Sequence, residues 1–392
     1  EDPVRLSDNP KDQELIDAGY ASVGKVTMHP FGSPWEKIST AEMPDVDMGL
    51  DDSAMPTWVW TGDKLILLGL NSTDMQSVGG IYTPSVNEWS SMNTTDMPDI
   101  SFDSIAPSIS LWTGTKMVVL GMNDDNTQLR GGVYRPGTDD WTLMNMDDIP
   151  NVNIGSATYV WTGSQMIVMG PNPEATQTLA RMYDPSTNQW SNISTENMPN
   201  VSFASTDATP ISVWTGSQMF LLGYDDQNMQ LAGGVYNPAT DEWKIMTTAN
   251  LPDVRMDESS MKPISVWAGE KLIVIGVDPE SSAPELTELT GGLYDPVANT
   301  WNSMETTGMP DLQWSDSYSE SRDVRALWTG NELILWNPGD ATGIYDPEIN
   351  EWHVTGTCWM DNGVWTGTRA IFVQADDDGF SAEIYDPETE SW

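Results

Sequence analysis

Trp214-Thr-Gly-Ser-Gln-Met-Phe-Leu-Leu-Gly223, followed by Gly233-Gly-Val-Tyr236-Asn-Pro-Ala-Thr-Asp-Glu-Trp243, is the stretch on which the fold turns. Its first half, Trp-Thr-Gly or a close variant, recurs at Trp60, Trp112, Trp161, Trp214, Trp267, Trp328 and Trp365. An apolar run follows each, as in Leu65–Gly69 and Met117–Gly121. Its second half, Tyr-x-Pro-x-x-x-x-Trp, returns at Tyr82/Trp89, Tyr134/Trp141, Tyr183/Trp190, Tyr236/Trp243, Tyr294/Trp301, Tyr345/Trp352 and Tyr385/Trp392. Self-similarity at a fixed period is the mark of a repeat architecture.

Each unit reads as four short strands. Strand a ends in the repeated Trp, and a Thr-Gly turn leads to strand b, the Gly supplying the positive φ that tight hairpins need. Strand b is apolar throughout, as expected when both faces are buried. Strand c is the Gly-Gly-x-Tyr segment, and Pro with a polar tetrapeptide turns the chain into strand d. Four antiparallel strands per unit, repeated radially, predict an all-β, seven-bladed β-propeller, with eight blades as the alternative count.

The pattern Trp-Thr-Gly-x-x-Met-hydrophobic-Gly, then Gly-Gly-x-Tyr-Asp-Pro-x-Thr-x-x-Trp, resembles the kelch repeats of exported bacterial proteins over about residues 24–392. The departures are specific. The diglycine of the kelch pattern after strand b is here a single Gly at 69, 121, 170, 223 and 276, and is absent at Asn337 and Gln374. The Arg and His that bacterial relatives often carry before strand a are missing from most units. The resemblance implies a fold and a binding role, but no particular activity.

Composition bounds the partners. Sixteen Lys and Arg against 59 Asp and Glu give a net charge of −43. Such a field repels phosphate backbones and anionic membrane surfaces, so nucleic acid is not expected as a partner and cations are the natural counterpart. No stretch approaches the ~20 apolar residues of a membrane span, so no membrane insertion is expected. A salty medium, which screens self-repulsion, is the first reading of this surface; calcium loading is the second. One cysteine, Cys358, rules out an intramolecular disulfide framework. A start at Glu1 without Met fits removal of a targeting segment or trimming, so the chain is expected to be extracellular or at the cell surface.

The organisation expected is an N-terminal arm, 1–22, and a propeller, 23–392, that includes a surplus c–d hairpin at 23–40. In that hairpin Met28 to Trp35 repeats the seven-residue step, without an a–b hairpin of its own. Three readings of it stand open: closure of the chain's own ring, a piece of a longer array, or completion of a blade in the next molecule. Within the arm, Lys11–Ala18 is a candidate short helix.

The d-to-a loops carry their own rhythm, with Asp45, Asp99, Asn151, Asn200, Asp253 and Asp311 each directly after a proline. Read as a ring, these oxygen donors suit calcium; read locally, Pro followed by Asp or Asn is turn chemistry. No other cofactor is expected. Hydroxyls recur five residues after the strand d Trp, at Thr40, Thr94, Thr195, Thr248, Thr306 and Thr357. The first five are candidate glycan acceptors, as are the sequon residues Asn71, Asn93, Asn192 and Asn200. Among Trp residues outside the repeat pattern, Trp58, Trp314 and Trp359, the latter two lie in irregular inserts and are candidate ligand contacts.

Catalysis is not expected. His29 and His353 are the two histidines, each in a c–d region that the repeat explains. Copper-oxidase chemistry lacks ligands, and neither a sialidase box nor an arginine cluster occurs. The expectation is an extracellular structural or adhesive protein that assembles with copies of itself, into a fibre joined through the N-terminal hairpin. The alternative is a monomeric secreted module that binds a cation, a carbohydrate or another surface protein.

Overall fold

The computed structural model describes residues 39–46, 56–71, 73, 75–102, 108–123, 127–147, 151–203, 210–225, 227–228, 230–254, 263–278, 289–310, 312, 324–358, 362–365, 367–376, 379–387 and 389. The arm 1–22 and residues 23–38 of the surplus hairpin lie outside them. Two compact units divide the chain, Glu1–Ile193 and Ser194–Trp392.

The first unit holds three four-stranded antiparallel sheets. They are β1–β4 (Thr57–Trp60, Leu65–Leu70, Ser77–Thr83, Glu88–Ser91), β5–β8 (Ile109–Trp112, Met117–Met122, Leu129–Arg135, Asp140–Leu143) and β9–β12 (Thr158–Trp161, Met166–Pro171, Thr178–Asp184, Gln189–Asn192). The second unit holds β13–β16 (Ile211–Trp214, Met219–Asp225, Gln230–Asn237, Glu242–Ile245) and β17–β20 (Ile264–Trp267, Leu272–Val277, Leu289–Asp295, Thr300–Ser303). It continues with β21–β24 (Arg325–Trp328, Leu333–Trp336, Ala341–Asp346, Glu351–Thr357) and β25–β27 (Asn362–Trp365, Ala370–Asp376, Gly379–Tyr385). Strands follow one another in chain order within every sheet. The architecture is that of a β-propeller, with six four-stranded sheets and one three-stranded sheet among the described residues.

Strand b is apolar throughout because its two faces serve different neighbours. In β6, Val118 and Leu120 belong to a cluster with Met166, Val168 and Tyr183 of the next sheet. Met117 and Val119, pointing the other way, pack with Ile66 and Leu68 of the preceding one. The same division recurs in β18, where Ile273 and Ile275 meet Leu333 and Leu335 while Leu272 and Val274 meet Phe220 and Leu222. A strand's period of two thus distributes one run over two cores. The cores lie between sheets.

The departure from the kelch diglycine has a packing cause. A Cβ on Gly121 would stand 2.6 Å from Cγ2 of Ile100, which comes from the Pro98-Asp99-Ile100 loop entering the same sheet. One glycine near the end of strand b is what that loop requires. The strand c diglycine has two further jobs: a Cβ on Gly131 would meet Met144 Sδ at 3.0 Å, and one on Gly132 would meet the Pro98 ring at 3.0 Å. In β23 Thr342 replaces the first glycine, and the residue three after the strand d Trp is Thr355 rather than Met; its hydroxyl donates to Thr342 O at 3.4 Å.

The a–b hairpins show why Thr precedes Gly. Thr61 Oγ1 accepts the Lys64 N–H at 2.9 Å, and Gly62 takes φ +106°. Thr113, Thr162, Thr215 and Thr329 repeat the bond at 2.9–3.0 Å. The turn from β17 to β18 has Ala268 instead, without the hydroxyl bond, and keeps backbone bonds from Ala268 N to Lys271 O at 2.8 Å and from Glu270 N to Ala268 O at 2.9 Å. Ala268→Thr is therefore expected to stabilise the chain by about 1 kcal/mol, one added hydrogen bond. A higher urea midpoint at unchanged m-value would bear this out; an unchanged midpoint would show that the hydroxyl contributes nothing.

Successive sheets are joined by a recurrent latch. Five residues after six of the strand c tyrosines stands Asn or Asp with positive φ: Asn87 (55°), Asp139 (52°), Asn188 (56°), Asp241 (54°), Asn299 (55°) and Asn350 (57°). Left-handed backbone is tolerated best by these residues after glycine. One oxygen of each accepts its own tyrosine hydroxyl, at 2.7–2.9 Å. That oxygen also accepts a backbone N–H from the segment leaving the preceding strand d: Asn93 to Asp139 at 2.9 Å, Asn145 to Asn188 at 2.8 Å, Thr247 to Asn299 at 3.0 Å. The tyrosine and tryptophan rings of the motif pack in a tilted pair beside the latch, with centroids 5.1 Å apart for Tyr134 and Trp141.

Candidate ligand-binding face

The first strands of successive sheets pack side by side, β1 on β5 in the first unit and β13, β17, β21 and β25 in sequence in the second. Thr57 Oγ1 and Ser110 Oγ share a hydrogen bond that ties β1 to β5. Along these strands the second and fourth residues share one face. In the first unit that face is the less buried one: Trp58 and Trp60 on β1, Ser110 and Trp112 on β5, Tyr159 and Trp161 on β9. Trp58 is 59% exposed, Trp60 48% and Tyr159 42%. In the second unit the second positions are Ser212, Ser265, Ala326 and Gly363, so aromatic residues at the second position, Trp58 and Tyr159, belong to the first unit, while Trp holds the fourth position in both.

Two neighbouring indoles open to water on one strand face offer broad π surfaces to a planar or cationic group. Partial burial pushes the Tyr159 phenol on β9 up from its ordinary value. Trp60 occupies a repeat position and reads in the sequence as core, while its counterparts Trp112 and Trp161 are indeed half-buried. The signal that could have found this face is Trp58, which sits where other repeats carry Ser, Tyr, Ala or Gly. Trp314 and Trp359, the expected ligand contacts, lie outside the described residues.

Asp45, Asp99, Asn151, Asn200 and Asp253 are all exposed on their loops, each between a proline and a buried Val or Ile, and Asp311 lies outside the described residues. Two of them have a local task. Asn71 Nδ2 donates to Asp45 Oδ2 at 3.3 Å, and Asn200 Nδ2 donates to Asp225 Oδ1 at 2.8 Å. Both bonds anchor the b–c loop of the sheet the segment enters. Among the described residues, no three His, Cys, Asp or Glu side chains are grouped as a metal would need. Thr40, Thr94, Thr195, Thr248 and Thr306 are exposed. Four of these open turns, with N–H groups of Met43, Met97, Met198 and Met309 returning to the carbonyls of Thr40, Thr94, Thr195 and Thr306.

No family model matches the chain, and no curated protein does. Among solved structures it is similar to the β-propeller domain of the trilobed protease from Pyrococcus furiosus, at 10% identity and a TM-score of 0.48, over 85% of this chain and 95% of that one. Acylaminoacyl peptidase from Pyrococcus horikoshii aligns at 10% identity and a TM-score of 0.45, over 89% of this chain and 53% of that one. Dipeptidyl peptidase 4 from Porphyromonas gingivalis aligns at 9% identity and 0.47, over 90% and 53%. The chain thus spans about half the length of these two peptidases. At such identities the likeness speaks to the fold alone.

The expectation of an extracellular structural or adhesive protein that builds a fibre is corrected by this comparison: the similar structures are peptidases and a protease propeller domain. That expectation treated the surplus hairpin as free for a neighbouring molecule. What is described of that segment and the loop after it holds to its own chain. Ser39 N donates to Asn87 Oδ1 at 2.7 Å, and Val46 bridges Asn71.

Proposed function

We propose that the chain is a polypeptide-binding β-propeller module of a peptidase-related protein, holding its ligand on the indole face of β1 without cutting it. The observation that carries the reading is the exposure of Trp58 and Trp60 side by side on one strand face. Large exposed apolar surface on a folded chain marks an interaction site. The charge of −43 selects the ligand: a polypeptide bearing Lys or Arg is drawn by the field and its cations stack on indole. A peptidase-related setting fits a polypeptide ligand, and the exposed rings, rather than the similar structures, are its support.

The non-catalytic part of the proposal rests on chemistry. Acyl transfer needs a nucleophile and a base within hydrogen-bond reach. Cys358 is fully buried, and His353 on β24 pairs across the sheet with Ile344. We read the repeat itself as kelch-like, since its Trp-Thr-Gly and Tyr-x-Pro segments each have a structural task.

Titration of the full chain with a Lys/Arg-containing decapeptide, an uncharged decapeptide and an oligosaccharide tests the proposal through tryptophan fluorescence. The cationic peptide is expected to bind in a salt-sensitive way. Trp58→Ala is expected to weaken it about fivefold, near the 1 kcal/mol of an exposed cation–π contact. Equal binding of charged and uncharged peptides, preference for the sugar, or an unchanged affinity in Trp58→Ala would overturn it.

A further inference from the structure

The four sequons Asn71-Ser-Thr, Asn93-Thr-Thr, Asn192-Ile-Ser and Asn200-Val-Ser are equal as motifs, but the fold makes them unequal. Asn93 sits in a latch: its Nδ2 donates to Asp139 O at 3.0 Å and its Oδ1 accepts the Thr95 N–H at 3.0 Å. Asn200 Nδ2 donates to the buried Asp225, whose carboxylate accepts N–H groups of Gln227 and Asn228 as well. Asn71 Nδ2 donates to Asp45, and its Oδ1 accepts the Thr73 N–H at 2.8 Å. An oligosaccharide on any of these nitrogens removes one of its two protons and places a bulky group where a loop or a neighbouring sheet is held.

Asn192 differs. It ends β12, the last strand of its sheet, and is exposed. Its amide makes no hydrogen bond among the described residues. Its cross-strand partner is Arg181 on β11. The corresponding strand c residues are Gly80, Gly132, Gly234, Gly292 and Gly343. A side chain therefore lies beside this asparagine where the other sheets offer a bare backbone. The Arg181 stem, its Nη1 donating to Ala180 O at 2.9 Å, gives an apolar shelf with a donor at its end. Cross-strand neighbours of this kind are within contact distance.

We infer that Asn192 is the site of N-linked glycosylation in this chain, its first sugar seated against Arg181, and that Asn71, Asn93 and Asn200 stay bare in the folded protein. The inference is independent of the ligand face on β1. It requires that the chain enter a glycosylating export route, which a secreting yeast host supplies.

The full chain is secreted from such a host, deglycosylated enzymatically so that each occupied Asn becomes Asp, and mapped by peptide mass spectrometry. The expected result is conversion at Asn192 in most molecules, with Asn71, Asn93 and Asn200 unconverted. Asn192→Gln is expected to remove one glycan's worth of mass and leave circular dichroism and the urea midpoint of the deglycosylated chain unchanged. A folded, secreted chain with Asn192 unconverted overturns the inference, as does conversion at Asn71, Asn93 or Asn200 in its place. Arg181→Ala separates the seat from the site: occupancy kept, but glycosidase release faster, is the expected outcome, and an unchanged release rate removes Arg181 from the proposal.

Discussion

Asn299→Ala is expected to destabilise the second unit by about 3 kcal/mol, the loss of two to three net hydrogen bonds plus left-handed strain. Asn299 Oδ1 accepts the Tyr294 hydroxyl at 2.7 Å and the Thr247 N–H at 3.0 Å, and its Nδ2 donates to Ile245 O at 3.4 Å. Alanine deletes all three. It also strands the buried Tyr294 hydroxyl and must hold φ near +55° without the local bonding that makes this region tolerable for asparagine. Asn299→Asp is the informative control. Asp139 and Asp241 fill the same position in other sheets and accept the same two bonds, so aspartate is expected to cost under about 1 kcal/mol. Urea denaturation of the three proteins decides it. Near-equal midpoints for wild type and Asn299→Ala would mean that the sheets are held by their apolar cores and the latch is incidental.

The latch shows where the sequence was legible and where it was not. Strand order and, in the six described cases, the buried Trp at the end of the Tyr-x-Pro segment follow from periodicities of two and of one repeat, which are properties of the chain itself. The solitary Gly121 is visible in the sequence only as a departure; its reason, Ile100, arrives from a loop some twenty residues earlier and is a matter of packing. Asn or Asp five residues after Tyr recurs in six repeats, with Glu390 in the seventh, yet reads locally as one residue of a polar turn. Its partner N–H lies about fifty residues away, and no local rule points there. The same limit applies to the candidate site. Trp60 has a core residue's sequence context, and only the solvent exposure of β1 separates it from Trp112.

Raising the pH from 9 towards 12 is expected to unfold the chain cooperatively, with phenolate absorbance appearing in the same step as the loss of β-sheet signal. Burial pushes the Tyr294 phenol up to about 12, helped by the charge of Asp295. Tyr134 and Tyr236 are raised further, by burial first and then by donating to the carboxylates of Asp139 and Asp241. Burial, with the charges of Asp184 and Asp346, likewise raises Tyr183 and Tyr345. A phenol in the unfolded chain releases its proton near pH 10, whereas these five retain theirs in the fold. The unfolded state therefore binds fewer protons above pH 10, and stability falls as pH rises. For Tyr294 the window runs from about 10 to about 12, and for the other four it extends higher, so all five act in the same direction at once. Since each phenol also closes a latch, ionising one places an anion beside Asn or Asp oxygen and weakens the bond between two sheets. Five phenols ionising smoothly near pH 10 with circular dichroism intact would show that water reaches the latches freely, and the account of how the sheets are held would fail with it.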